Sequence, residues 1–194
     1  MGGSRPRGRQ GVGATSTRRV TLETRRLRLE PVETAHAEGL HRAVVDSRPE
    51  LLPWMPWARE PTLAGSLELT ARDERAWRED RFYHFAVIEK GSDLALGIVG
   101  LNREGKDSPE LHYWIRTDHA GRGLTTEAAR ALIEWARDER HAPRLMLWAG
   151  SENHASRRVA EKLGFVHIGP LEWRPEGGLG DFPAESYELL LMPG

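Results

Sequence analysis

The chain has 194 residues, 39% hydrophobic and 29% charged, with a formal net charge of −1 and no cysteine. That length suits one domain with a substantial core, and no apolar run approaches the ~18–20 residues of a membrane span. The missing cysteines exclude disulfides, thiolate metal sites and a cysteine nucleophile within this chain, which fits a cytoplasmic setting.

Residues 1–20 carry Arg5, Arg7, Arg9, Arg18 and Arg19, no acid and many glycines. Without apolar periodicity this segment is expected to be a disordered basic tail, and it lacks the apolar stretch of a secretory signal. Basic tails can touch nucleic acid or membrane surfaces, but a dispensable extension explains it more simply. No nucleic-acid or membrane partner is expected. A single domain is expected over residues 21–194.

Leu27 and Leu29 alternate with Arg26, Arg28 and Glu30, the pattern of a first strand. Thr34 opens a helix with Ala37, Leu40 and Val44 on one side, ending near Ser47 and Pro49. The stretch Leu51-Leu-Pro-Trp-Met-Pro-Trp57 holds two prolines and two tryptophans, so it reads as an irregular loop presenting aromatic surface. Thr62 can cap a helix over 63–80. Segments 82–89 and 94–102 read as antiparallel strands around a turn at 90–93, and 110–116 as another strand. A helix over 125–139, a strand over 144–149, a helix over 153–163 and strands over 165–172 and 187–192 complete the chain, with a flexible glycine-rich loop at 177–181. This order implies an α/β fold, a central mixed sheet with helices on its faces. The last strand is expected to be exposed after that loop, an edge through which a homodimer could form.

Two segments carry chemistry. Ala120-Gly-Arg-Gly-Leu-Thr-Thr-Glu-Ala128 follows a strand and opens a helix, so several backbone N–H groups converge where an anion could sit. Thr126 replaces the third glycine of a dinucleotide fingerprint, and no Gly-Lys-Ser/Thr follows as in a P-loop. Alone, such a turn reads better as an ordinary tight turn. About 30 residues on, Asn153-His-Ala-Ser156 begins a helix closed by Gly164-Phe165, with Asn153 suited to an N-cap.

Together with Arg26-Leu-Arg-Leu29, Leu52-Pro-Trp-Met-Pro-Trp57 and Glu110-Leu-His-Tyr-Trp-Ile115, these segments resemble the GCN5-related N-acetyltransferase (GNAT) superfamily, and in the Trp-Met-Pro-Trp stretch its RimJ/RimL-like branch. The resemblance runs from about Thr24 to Met192. It implies acetyl-CoA as co-substrate, with the pyrophosphate on the backbone of Gly121, Arg122, Gly123, Leu124, Thr125 and Thr126. It also implies a pantetheine arm along the backbone of Trp114, Ile115 and Arg116, with Asn153, Ser156 and Arg158 as further cofactor contacts. Ala120 and Thr125 depart from the usual family residues at backbone-binding positions. Ala160 stands where many members carry the tyrosine that protonates the leaving thiolate. Ser156 lies on the same helix face, four residues earlier, and becomes the candidate acid.

A primary amine is protonated near pH 7, so attack on the thioester needs a proton acceptor. Glu110, at the start of the cofactor strand, is the candidate base, directly or through water; a strand-end carboxylate in a salt bridge is the plainer alternative. Backbone N–H groups of that strand would meet the oxyanion. Trp54 and Trp57 read either as a wall of the acceptor pocket or as a plug between helices. His112 and His119 read as second bases or as packed polar groups. The histidines lack His-x-x-x-His spacing, so no metal is expected. The expected activity is acetyl transfer to a primary amine, foremost a protein N-terminal α-amine. A small-molecule amine acceptor and a catalytically inactive acyl-CoA-binding module stay open as alternatives.

Overall fold

The computed structural model describes residues 19–103, 108–171 and 182–191. The arginine-rich segment before Arg19 and the loop 177–181 lie outside the described residues. Arg19 itself donates to the carbonyls of Pro31 (2.9 Å) and Val32 (3.0 Å).

The short strand Leu22–Glu23 (β1) pairs with Leu27–Pro31 (β2), whose alternate residues are buried. A 3-10 turn at Thr34–His36 leads into helix Ala37–Asp46 (α1), and a further single turn, Arg48–Leu51 (α2), carries Pro49 near its start, where a missing N–H costs nothing. The single helix expected over 34–47 is therefore divided. Thr62 Oγ1 accepts from Gly65 N (3.0 Å) at the start of Leu63–Arg78 (α3). Phe82–Glu89 (β3), Ala95–Asn102 (β4) and Glu110–Ile115 (β5) follow as antiparallel neighbours. Leu124–Asp138 (α4) crosses to Arg144–Gly150 (β6), which runs parallel to β5. His154–Leu163 (α5), Val166–Pro170 (β7) and Ala184–Leu190 (β8) complete the described chain.

The strands form one mixed sheet in the order β1-β2-β3-β4-β5-β6-β8-β7. The last strand is thus not an edge. β8 inserts between β6 and β7, where both of its backbone sides are paired, and the edge falls to β7. Helices cover both faces. Leu124, Leu132 and Trp135 of α4 pack with Phe85, Val99 and Leu111 in the larger core, while Leu40 and Val44 of α1 pack with Ala86, Ile88 and Trp114 on the other face. Among the described residues, no helix is long and apolar enough to cross a membrane.

The sheet opens at one place. β5 and β6 are paired only at Glu110↔Met146 and Leu111↔Leu147, so beyond those rungs the two strands diverge into a fork. β4 carries an extra residue, Leu96, between Ala95 and Gly97, a bulge that bends the strand beside the fork. At Gly97 the neighbouring strand comes so close that a Cβ would lie 2.1 Å from the Trp114 carbonyl oxygen. Because that atom is backbone and cannot step aside, Gly97→Ala is expected to cost about 2–3 kcal/mol in urea unfolding; an unchanged midpoint would show that β5 can shift.

Candidate active site

Strand alternation decides which backbone groups face the fork. Arg116 N donates to Leu96 O (2.7 Å) and Met146 N to Pro109 O (2.9 Å), so even-numbered residues of β5 turn their polar groups to β4 and odd-numbered ones to β6. Beyond Leu111 the groups turned into the open fork are those of Tyr113 and Ile115. Trp114 and Arg116, expected to offer backbone groups, direct them to β4 instead. The Arg116 guanidinium is engaged as well, with Asp118 (2.8 Å) and Asp46 (3.1 Å). Hydrogen bonds from Arg116 and His119 hold the Asp118 carboxyl well below the usual carboxylate range.

Gly121 and Gly123, at φ +74° and +76°, adopt the left-handed conformation that side chains disfavour. Gly123 is the N-cap of α4 and supplies no side-chain cap. The N–H groups of Leu124, Thr125 and Thr126 therefore have no intrahelical acceptor, and the helix dipole adds positive potential there. Glu127 fixes this turn in place. Its carboxylate accepts from Thr24 Oγ1 (2.7 Å), Arg26 N (2.9 Å) and Arg26 Nε (2.7 Å), tying α4 to the start of β2. Arg122 is exposed and bonds Glu89 (3.2 Å). A small void beneath α4 is lined by Val87, Val99, Tyr113, Ile115, Thr125 and Ala128. A wider hollow of about 490 Å³ opens beside the same helix start, lined by Gly123, Thr126 and Glu127 together with Glu23, Arg26, Arg130, Glu134 and Lys162.

At the other side of the fork, Asn153 caps α5 by accepting from Ser156 N (3.0 Å). Arg158 is exposed, whereas Arg157 is held by Tyr187 Oη and the Ser151 carbonyl (both 3.0 Å). The structure also brings a residue to Ser156 that sequence reasoning missed. Tyr113 reaches across from β5 and places its Oη 3.1 Å from Ser156 Oγ and 3.1 Å from Ser156 O. Burial is the main cause that pushes this phenol up to about 12. Forty-three residues separate the pair, and no local pattern announces it.

The opposite face of β5 presents Glu110, His112 and Trp114. Trp57 packs edge-on against Trp114, with ring centroids 5.9 Å apart. Trp54 lies against Gly150, so close that a Cβ there would stand 2.7 Å from its ring, and it meets Phe182 at 5.5 Å. The two tryptophans therefore sit on the two arms of the fork, Trp57 over β5 and Trp54 over the end of β6. Beside them His112 meets the ring of His84 at 4.6 Å, and His84 Nδ1 donates to Asp73 Oδ2 (2.7 Å), a carboxylate only 5% exposed. Among the described residues no group of three or more His, Asp or Glu could hold a metal ion.

A forked parallel pair beside an uncapped helix N-terminus offers unpaired backbone groups to an extended ligand and N–H groups to an anion. Residues 26–166 match the family described as acetyltransferase (GNAT) domain. The chain belongs to the GNAT acetyltransferase family. YdaF of Bacillus subtilis (strain 168), named as a ribosomal N-acetyltransferase, is 28% identical over 143 residues, 71% of this chain and 76% of the relative. Many solved structures share the fold, among them two in complex with a coenzyme A species. RimL, a ribosomal alpha-N-protein acetyltransferase in complex with coenzyme A, superposes with a TM-score of 0.78 at 15% identity, covering 89% of this chain and 98% of its own. The microcin self-immunity acetyltransferase MccE, in complex with acetyl-CoA and AMP, gives 0.77 at 18% identity, covering 86% and 93%.

This GNAT chain thus carries a buried Asp73–His84 pair that its sequence did not advertise. Burial alone would push the Asp73 carboxyl up; the hydrogen bond from His84, with the charges of His84 and Arg72, outweighs it and holds the carboxyl below its ordinary range. A carboxylate held low in the folded state adds stability above its ordinary value near ~4, and loses it as the pH falls through the folded-state value. Asp73→Asn is therefore expected to cost about 2 kcal/mol at about pH 7 and progressively less below about pH 4 in urea unfolding. An equal cost at both ends of that range would contradict the pairing.

Proposed function

We propose that the chain transfers the acetyl group of acetyl-CoA to a primary amine, with a protein N-terminal α-amine as the favoured acceptor. The observation that carries this reading is the alignment of the β5–β6 fork with the uncapped start of α4. The residues present fit the co-substrate: the N–H groups of residues 124–126 suit a pyrophosphate, the backbone groups of Tyr113 and Ile115 suit a pantetheine amide, and Asn153 and Arg158 flank the same route. Acetyl-CoA supplies an activated thioester. The chain's part is to orient it, to accept a proton from the amine and to stabilise developing charge.

Glu110 lies on the acceptor face at the start of the fork's paired rungs, the place for a base that takes the amine proton; His112, two residues on along the same face, is the second candidate. The Tyr113 N–H, turned into the fork, can meet the oxyanion. Ser156 is the donor to the leaving sulfur. Trp54 and Trp57 wall the acceptor side, and with no cysteine in the chain a direct transfer needs no acyl-enzyme. The names of YdaF and RimL support a protein α-amine over a small-molecule acceptor.

The test is CoA release on mixing acetyl-CoA with N-terminal peptides, intact ribosomal proteins and a panel of small amines. Glu110→Gln is expected to lower kcat by about 100-fold while leaving CoA affinity within about twofold. Acetylation confined to small amines would move the acceptor class. CoA binding with no amine acetylated would leave an acyl-CoA-binding module.

A further inference from the structure

Ala160 leaves α5 with no hydroxyl one turn beyond Ser156, and the site is fully buried. The hydroxyl nearest Ser156 comes from the strand instead. Tyr113 is the first residue beyond the last β5–β6 rung whose side chain lies on the α4–α5 side. Its Oη has two acceptors at the same 3.1 Å, the Ser156 carbonyl and Ser156 Oγ. When the phenol donates to the carbonyl, the serine proton can be given back to Oη. When the phenol donates to Oγ, the serine proton is released from Tyr113 and free to meet another acceptor. The backbone N–H of Ser156 is held by Asn153 Oδ1 at 3.0 Å, which fixes the turn that carries the serine.

We infer that Tyr113 is a positioning residue, which by donating to Ser156 Oγ leaves the serine O–H to hydrogen-bond the leaving sulfur of the acyl donor. This rests on the acetyl-transfer reading above. The step balances without ionising either hydroxyl. As the amine nitrogen bonds to the acyl carbon, the carbon–sulfur bond breaks and its electron pair stays on sulfur. That thiolate accepts a hydrogen bond from Ser156 Oγ–H and takes its proton from water on release. A phenol at about 12 is a poorer acid than an alkyl thiol at about 8.5. Tyr113 therefore stays protonated and keeps donating throughout turnover, rather than surrendering its proton to sulfur. Tyr187, the other titratable group that raises the phenol, is itself engaged by Arg157 Nε.

The thiol of CoA bound to the whole chain, titrated by its ultraviolet thiolate absorbance, tests this apart from turnover. Wild type is expected to hold the bound thiol below its value in free CoA, and Tyr113→Phe and Ser156→Ala each to raise it by about one unit, the worth of a hydrogen bond to a charged group. In acetyl transfer Tyr113→Phe is expected to lose about tenfold in kcat with CoA affinity within about twofold, and the double variant to be no worse than Ser156→Ala alone. An unchanged bound-thiol value in Tyr113→Phe, or losses that simply add in the double variant, overturns the inference while leaving the acetyl-transfer reading intact. A wild type that shows the thiol shifts but acetylates no amine sinks that reading and leaves the pair in place. Failure to bind CoA removes both.

Discussion

Two rungs of parallel pairing, at Glu110 and Leu111, hold β5 to β6, and the site depends on their ending there. β6 is fixed on its far side by seven paired positions with β8, and β5 by six with β4, so neither strand can swing across to close the gap. The Leu96 bulge and the close approach at Gly97 bend the β4–β5 side. Trp57 on Trp114 and Trp54 on Gly150 then cover both arms. The fork is a consequence of these packed contacts rather than of weak pairing.

Alternation then separates the chemistry by face. His112 and Tyr113 are consecutive, so their side chains leave β5 in opposite directions at the mouth of the fork. One face collects Glu110, His112 and the His84–Asp73 pair against α1 and α3, with the tryptophans above. The other collects Tyr113, Ser156 and Asn153 beside α4 and α5. In the proposed transfer the amine and acetyl-CoA approach from opposite sides and meet where the backbone is unpaired. Such preorganisation lets fixed dipoles act without rearrangement during the reaction. The Arg26–Glu127 contact fixes the helix turn in the same frame.

Much of this is legible in the chain itself where the signal is local. Periodicity locates α3, α4, α5 and most strands, Thr62 and Asn153 announce their caps, and Gly121 and Gly123 announce a turn needing positive φ. What periodicity lacks is partner choice. It does not say that β8 slots between β6 and β7, so the expected edge falls on the wrong strand. It does not show that Pro49 opens its own short helix, because a proline at a helix start and one in a loop look alike. Nor does it say which way a backbone carbonyl in β5 turns: of the three expected residues Ile115 turns its backbone groups to the fork, Trp114 and Arg116 turn theirs to β4, and Tyr113 joins Ile115. The Tyr113–Ser156 and Asp73–His84 contacts depend on tertiary packing, which no local pattern announces.

Amide hydrogen exchange with and without CoA tests the fork most directly. CoA should slow exchange at Tyr113, Ile115 and residues 124–126, whose N–H groups lack strand or helix acceptors. Trp114 and Arg116, already paired to β4, should change little. Protection confined to the hollow around Glu23, Arg26 and Lys162, with the β5 amides unaffected, would contradict the account.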